Sequence, residues 1–249
     1  MWQTMEGLNY NKFATAVANS MDLDKFPIPE FLHALPSNLM VTIGVHPKAA
    51  SRLRGFLRSA LDKLRQLLEH PRVVGVGEIG LDYSIDTSHW PAQLDLLHDL
   101  LPIITPNLVL VLHCRSRRGS SGEEVHLQLL SIFKDLPSEQ RIQLHCFSGS
   151  PVVLDWWRKK FPNTALSVNQ DVQKFTGKAI KALKMLGTNQ LLLETDAPSF
   201  ARQGRRNSAL RELFDVAEQV AHHRGTTPEE ILCSTSSNAL QFFSHTLRL

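Results

Sequence analysis

Four apolar runs in this chain finish on a side chain that can bind a cation or move a proton. Residues 73–78 end on Glu78, 108–113 on His113, 141–145 on His145 and 190–196 on Asp196. Neutral imidazole suits zinc, manganese or iron, and a carboxylate at Glu78 could bridge two divalent cations. Asp196 is a candidate metal ligand or general base for an attacking water. Each residue also has an ordinary explanation. Glu78 could cap the next segment or pair with a lysine, the histidines could be core residues bonded to backbone, and Asp196 could accept in an Asx-turn leading into Pro198. Taken singly those explanations win; four such residues at equivalent strand ends reverse the balance, because parallel strands open their C-terminal ends onto one mouth. The expected chemistry is metal-dependent hydrolysis.

Cys114 and Cys146 each follow a histidine. Side chains alternate along a strand, so cysteines next to mouth-facing histidines are expected to face the helices as small packing residues. By the same alternation Glu194 shares a face with Asp196. Positive charge follows the same runs: Arg115, Arg117 and Arg118 after His113, and Arg202, Arg205 and Arg206 after Asp196. Arginine forks match phosphate oxygens, and Arg115, which abuts the histidine run, is the favoured phosphate contact. His46, in Gly44-Val45-His46-Pro47, ends another run and is expected to face the mouth and hold substrate phosphate. Trp156, Trp157, Arg158, Lys159 and Lys160 could clamp a nucleic-acid strand, although one core tryptophan on an otherwise solvated helix is the stronger interpretation.

Seven strand-like runs position these residues: 13–18, 39–44, 73–78, 108–113, 141–145, 164–168 and 190–195. They alternate with helical patterns, which predicts βαβ units and a parallel sheet. Most runs are short and apolar, as strands covered on both faces are. A helix is expected from Ser51 to Glu69, with Leu53, Phe56, Leu57, Leu61, Leu64, Leu67 and Leu68 on its apolar side, stopped by His70-Pro71. A second is expected from Ser208 to His223 with Gly225 beyond its end, and a third from Thr227-Pro228-Glu229-Glu230. The fold class is therefore α/β, a TIM-like barrel, with one strand fewer than the eight of a closed barrel and the shortfall at the N-terminus.

The 249 residues suit one such domain spanning 1–249, and 43% hydrophobic residues are enough for a full core. A formal charge of +3 permits an anionic partner without the basicity of a DNA-coating protein. Three cysteines and the absence of a visible signal peptide or apolar span lead to the expectation of a cytoplasmic or nuclear location, not secretion and not a membrane.

Gly-Val-His-Pro (44–47), Gly-Glu-Ile-Gly-Leu-Asp-Tyr (77–83), His-Cys-Arg (113–115), His-Cys-Phe-Ser-Gly-Ser (145–150) and Glu-Thr-Asp-Ala-Pro (194–198) resemble the motifs of TatD-type deoxyribonucleases, in the same order. The closing run 234–243 resembles that family's final Asn-containing helix, and the likeness extends from about residue 13 to the end. The resemblance implies a TIM-like barrel holding one or two divalent cations, Mg2+ or Mn2+ foremost with Zn2+ also open. It implies hydrolysis of DNA phosphodiesters by a 3'-5' exonuclease acting on single strands or 3' ends, with no obligate protein partner evident. It carries metal ligation to Glu78, His113, His145 and Asp196. One departure stands out: the family's first strand ends in His-x-His, and the first histidine here is His33. Two alternatives stay open, a catalytically inactive nucleic-acid-binding or regulatory relative and an amidohydrolase-like enzyme acting on a small ester or amide. Against the latter, no strand-like run ends on a metal-bridging lysine.

Overall fold

Strands and helices alternate along the described chain until two consecutive helices end it. The structure, a computed structural model, describes residues 16–21, 26–53, 57–120, 122–197 and 212–244. The order is β1 (Ala16–Ser20), α1 (Pro29–Ala34), β2 (Leu39–Ile43), α2 (Leu57–Leu68), β3 (Val73–Asp82), α3 (Trp90–Leu100), β4 (Val109–Arg115), α4 (Glu123–Ile132), β5 (Ile142–Leu144), α5 (Pro151–Lys160), β6 (Thr164–Val168), α6 (Gly177–Met185), β7 (Leu191–Leu193), α7 (Leu213–Arg224) and α8 (Pro228–Ser244). The seven strands pair in sequence order, every pair parallel, and curl as an open barrel with β1 and β7 at its two ends. The expected TIM-like α/β class and strand count are those observed. Residues 1–15, Phe56, Pro198, Arg202, Arg205, Arg206 and the start of the 208–223 helix lie outside the described residues.

The two faces of the sheet differ. The outer face, with Val41, Ile43, Val76, Leu110, Leu112, Ile142, Leu144 and Leu166, packs on the helices in the main core. The inner face is graded along the strands. At the foot, Val74, Val109, Val111, Ala165 and Leu192 pack on Phe243, with Ala239 and Phe242 of the same helix beside it. Arg141 fixes that helix end, donating to Phe242 O at 2.5 Å and Asn107 O at 2.6 Å. Above the foot comes a polar layer: Thr42 bonds Asn19, and Gln143 donates to Ser167 Oγ at 2.9 Å. Above that lies the mouth.

Three kinds of departure from the sequence expectation bear on the site. First, β3 continues to Asp82 and β4 to Arg115, so Glu78 and His113 lie inside strands and not at their ends. The β3–β4 register shifts between Gly77 and Ile79, making Glu78 the extra residue of a bulge. Gly75 and Gly77 allow this approach, since a Cβ would meet Val109 O at 2.4 Å and Val111 Cβ at 2.5 Å. Second, β5 and β7 stop at Leu144 and Leu193, before their functional side chains. Third, the expected 51–69 helix begins as a 3-10 turn over Pro47–Leu53, which buries Ala50 and Leu53 on one side, as its three-residue repeat requires; α2 follows. The helix ends expected at Gly225 and Thr227 are present: Gly225 takes φ 70°, and Thr227 and Glu230 exchange reciprocal capping bonds at 3.1 and 3.2 Å.

Candidate metal centre

The mouth gathers Glu78, His113, His145 and Asp196, together with His46, around a cavity of about 720 Å³. Glu78 Oε1 stands at its middle. It bonds His113 Nδ1 and lies 3.7 Å from His145 Nε2 and 3.9 Å from His46 Nε2. Two groups of donor atoms result, each mutually within 4.8 Å: His46, Glu78 and His113 on one side, and His145, Cys146 and Asp196 on the other. Imidazole nitrogen, carboxylate oxygen and sulfur are the donors divalent cations use, so the residues present fit such an ion.

Each buried imidazole has a carboxylate behind it. His113 Nε2 lies 3.1 Å from Asp82 Oδ2, leaving Nδ1 towards Glu78. His145 Nδ1 lies 2.6 Å from Glu194 Oε2, leaving Nε2 towards Asp196 Oδ1 at 3.3 Å. A carboxylate on one ring nitrogen fixes the tautomer and makes the other nitrogen a better ligand. His46 is built differently. Its Nδ1 accepts from the Lys48 backbone N–H at 3.2 Å, which puts the neutral ring's proton on Nε2 and makes His46 a donor into the mouth.

The electrostatics favour positive charge at His113 and His145 but not at His46. Burial opposes charging His145, but Glu194 and then Glu78 outweigh it and raise its pKa well above the ordinary value. His113 is raised in the same way, burial being overcome by its bonds to Asp82 and Glu78. Burial also works against ionising Glu78, yet His145 and His113 hold it at about 2. Asp82 is likewise lowered, burial being outweighed by its bonds from His113 and Ser84. His46 goes the other way, to about 4, from burial and then from His113.

Comparison with known proteins gives the same architecture a family. The TatD-related DNase family matches residues 5–244. The chain belongs to that family. The human 3'-5' RNA nuclease TATDN2 is 34% identical over 160 residues, 63% of this chain and 20% of that protein. A 3'-5' ssDNA/RNA exonuclease TatD of Erwinia amylovora is 30% identical over 212 residues, 81% of this chain and 77% of that protein. This chain thus spans about a fifth of the human relative's length and about three quarters of the bacterial one's. Among solved structures, a TatD homologue from Escherichia coli has a TM-score of 0.69 at 23% identity, covering 93% of this chain and 86% of that one, a likeness of fold. Membership in the TatD-related family carries the class expected from sequence, a metal-dependent hydrolase acting on phosphodiester bonds. No described helix is long and apolar enough to cross a membrane.

Against this TatD-related frame, alternation along the strand gave a wrong orientation for one residue. Cys146 does not face the helices. It follows the end of β5, takes a left-handed φ of 50°, and its Sγ comes to 3.2 Å from His145 Nε2. Cys114 is half-buried against the outer core, as expected, and also lines the cavity. Asp82, Lys48 and Asn169 were not singled out from sequence. Asp82 had a signal, since residues 78, 80 and 82 of one strand share a face; Lys48, 3.4 Å from Asp82 Oδ2, and Asn169 had none. Arg115 is exposed and lines the cavity, whereas Arg117 lies over the Trp90 ring at 5.0 Å. Trp157 is fully buried and Trp156 partly so, which leaves that cluster a helix surface.

Proposed function

We propose that this chain trims single-stranded nucleic acid, DNA or RNA, from the 3' end with the help of one or two divalent cations. The substrate class rests on the names of the relatives, an RNA nuclease and an ssDNA/RNA exonuclease. The observation that carries the site assignment is the position of Glu78 Oε1, shared between His113 on one side and His145 on the other. Glu78, His113, His145 and Asp196 would hold the cations. Among Mg2+, Mn2+ and Zn2+, the imidazoles favour Zn2+ and the carboxylates suit Mg2+ or Mn2+. Bound there, a divalent cation supplies Lewis-acid charge to a phosphate and acidifies water.

The chain's own residues do the remaining work. Asp196, one-fifth exposed at the cavity, would take a proton from water. His46 Nε2–H and Arg115 point positive or donating groups at the same space and are assigned to substrate phosphate. Asp82 and Glu194 keep the two imidazoles in register.

The test is hydrolysis of end-labelled single-stranded DNA and RNA by metal-stripped protein, with Mg2+, Mn2+ or Zn2+ restored and Asp196→Asn in parallel. Cation-dependent loss of 3' nucleotides, absent from the variant, is expected. Retention of bound strand without cleavage by folded protein, under every cation, would overturn the enzymatic assignment in favour of a binding role.

A further inference from the structure

Two described non-glycine residues have positive φ, and both are at the mouth: Cys146 at 50° and Asp196 at 52°. A left-handed backbone is unfavourable for a side-chain-bearing residue and persists where the surroundings hold it. Here two contacts hold Cys146. Its backbone N–H donates to Glu194 Oε1 at 2.6 Å, the same carboxylate that fixes His145 Nδ1. Its Sγ accepts from Asn169 Nδ2 at 3.0 Å. The result turns the thiol away from the helices and into the mouth.

Around His145 Nε2 the spacing is that of a coordination shell. Cys146 Sγ is 3.2 Å away, Asp196 Oδ1 3.3 Å and Glu78 Oε1 3.7 Å. Zinc–nitrogen, zinc–oxygen and zinc–sulfur bonds of about 2.0–2.3 Å in a tetrahedron separate neighbouring ligand atoms by roughly 3.4–3.6 Å. Ligand atoms of His145, Cys146 and Asp196 lie within 4.8 Å of one another, close enough to close on one ion, and Glu78 Oε1 reaches the same imidazole nitrogen from the other side. We propose that Cys146 is a thiolate ligand, and that His145, Cys146, Asp196 and the shared Glu78 form a site for a thiophilic cation of the zinc class, distinct in preference from the Glu78–His113 side. The assignment rests on the metal-dependent reading above and adds the sulfur donor and the selectivity it brings. Soft thiolate selects zinc over magnesium, whose hard, octahedral shell wants oxygen. On binding, the S–H bond breaks, the proton leaves to solvent and the sulfur lone pair forms the metal bond. The Asn169 amide supplies a hydrogen bond to that sulfur, the outer-shell support metal ligands commonly have.

The test uses Co2+ as an optical probe on the whole metal-stripped chain, with Zn2+ competition to read affinity. A near-ultraviolet sulfur-to-cobalt charge-transfer band is expected in the wild-type protein and in Cys114→Ser and Cys233→Ser. It is expected to vanish in Cys146→Ser and Cys146→Ala, with Zn2+ affinity reduced at least about tenfold and Mg2+ binding little changed. Co2+ binding seen by its visible bands with no charge-transfer band in the wild type would overturn the thiolate assignment and leave metal dependence standing. A band that persists in folded Cys146→Ala would assign the sulfur elsewhere and also overturn it. No Co2+ or Zn2+ binding at all would overturn both the thiolate and the metal-dependent reading.

Discussion

The two sides of the mouth hold an imidazole by the same device and reach it by different backbone routes. On the β3–β4 side, His113 lies within a strand and Glu78 at a bulge, pinned by the close passage of Gly75 and Gly77 over β4. On the β5–β7 side the strands have already stopped, and Cys146 and Asp196 project from left-handed turns. The strand route yields nitrogen and oxygen donors only. The turn route brings in a residue that a continued strand would have pointed the other way, and with it a sulfur. A short strand followed by a turn thus changes the chemistry of a site without changing the fold.

The hardest blow to both sides at once is Glu78→Gln. Among the described residues Glu78 is the carboxylate within 4 Å of imidazoles on both sides, and a neutral amide cannot balance two cations. Nuclease activity on end-labelled single strands is expected to fall by about a thousandfold or more with every cation tried. If the variant keeps a tenth of wild-type activity, the sides work independently and the shared role of Glu78 is wrong.

This contrast also marks what could be read from the sequence. The seven strands, their parallel order and the convergence of Glu78, His113, His145 and Asp196 followed from apolar runs whose period and endings were plain. Cys146 did not, because alternation holds only while the strand lasts, and β5 ends at Leu144, one residue short of the expected run and two before the cysteine. The Glu78 bulge was equally hidden: a register shift depends on how two strands meet at Val111, not on the residues of either alone. Lys48 sits in a 3-10 turn where a helix pattern had been expected only from Ser51 onwards, so nothing local tied it to Asp82.

A buried imidazole that lines the cavity but belongs to neither donor group, His126, gives a control for acid effects on the site. His126 of α4 accepts from Trp157 Nε1 at 3.1 Å, and burial lowers its pKa from 6.5 to about 4. The unfolded chain then takes up this proton near pH 6.5 and the folded chain only near pH 4. The stability that the neutral ring contributes is complete above pH 6.5 and is lost as pH falls towards 4, by about 3 kcal/mol in all. Denaturant unfolding should therefore show the stability difference between wild type and His126→Gln shifting against the wild type by that amount between pH 7 and pH 4. A difference independent of pH would mean that His126 is not held neutral by its surroundings.

The carboxylates behind the two imidazoles test whether the sides are equally supported. Asp82→Asn and Glu194→Gln should each weaken cation binding by about 10- to 100-fold in calorimetric titration. The Glu194 change is expected to be the larger. Glu194 serves both His145 Nδ1 and the Cys146 backbone N–H, so its loss relaxes the turn as well as the ring. Asp82 serves His113 and the Ser84 turn, which lies outside the mouth. Equal losses would remove the special standing given to the β5–β7 turn.

The smallest expected effect separates two arginines two residues apart at the edge of the β3–β4 side. Arg115 lines the cavity, while Arg117 is stacked over Trp90, itself stacked on Tyr83 with ring centres 4.2 Å apart. An arginine engaged with an aromatic face is less available to a phosphate than one aimed into the cavity. Arg115→Ala should raise KM for single strands about fivefold with kcat little changed, and should lower the slope of log affinity against log salt by roughly 0.7, the share of one phosphate on a single strand. Arg117→Ala should leave the salt slope alone and cost at most about 1 kcal/mol of stability through the lost cation–π contact. The opposite result, a slope that falls only for Arg117→Ala, would move the path of the substrate strand off the cavity and onto the Tyr83–Trp90 stack.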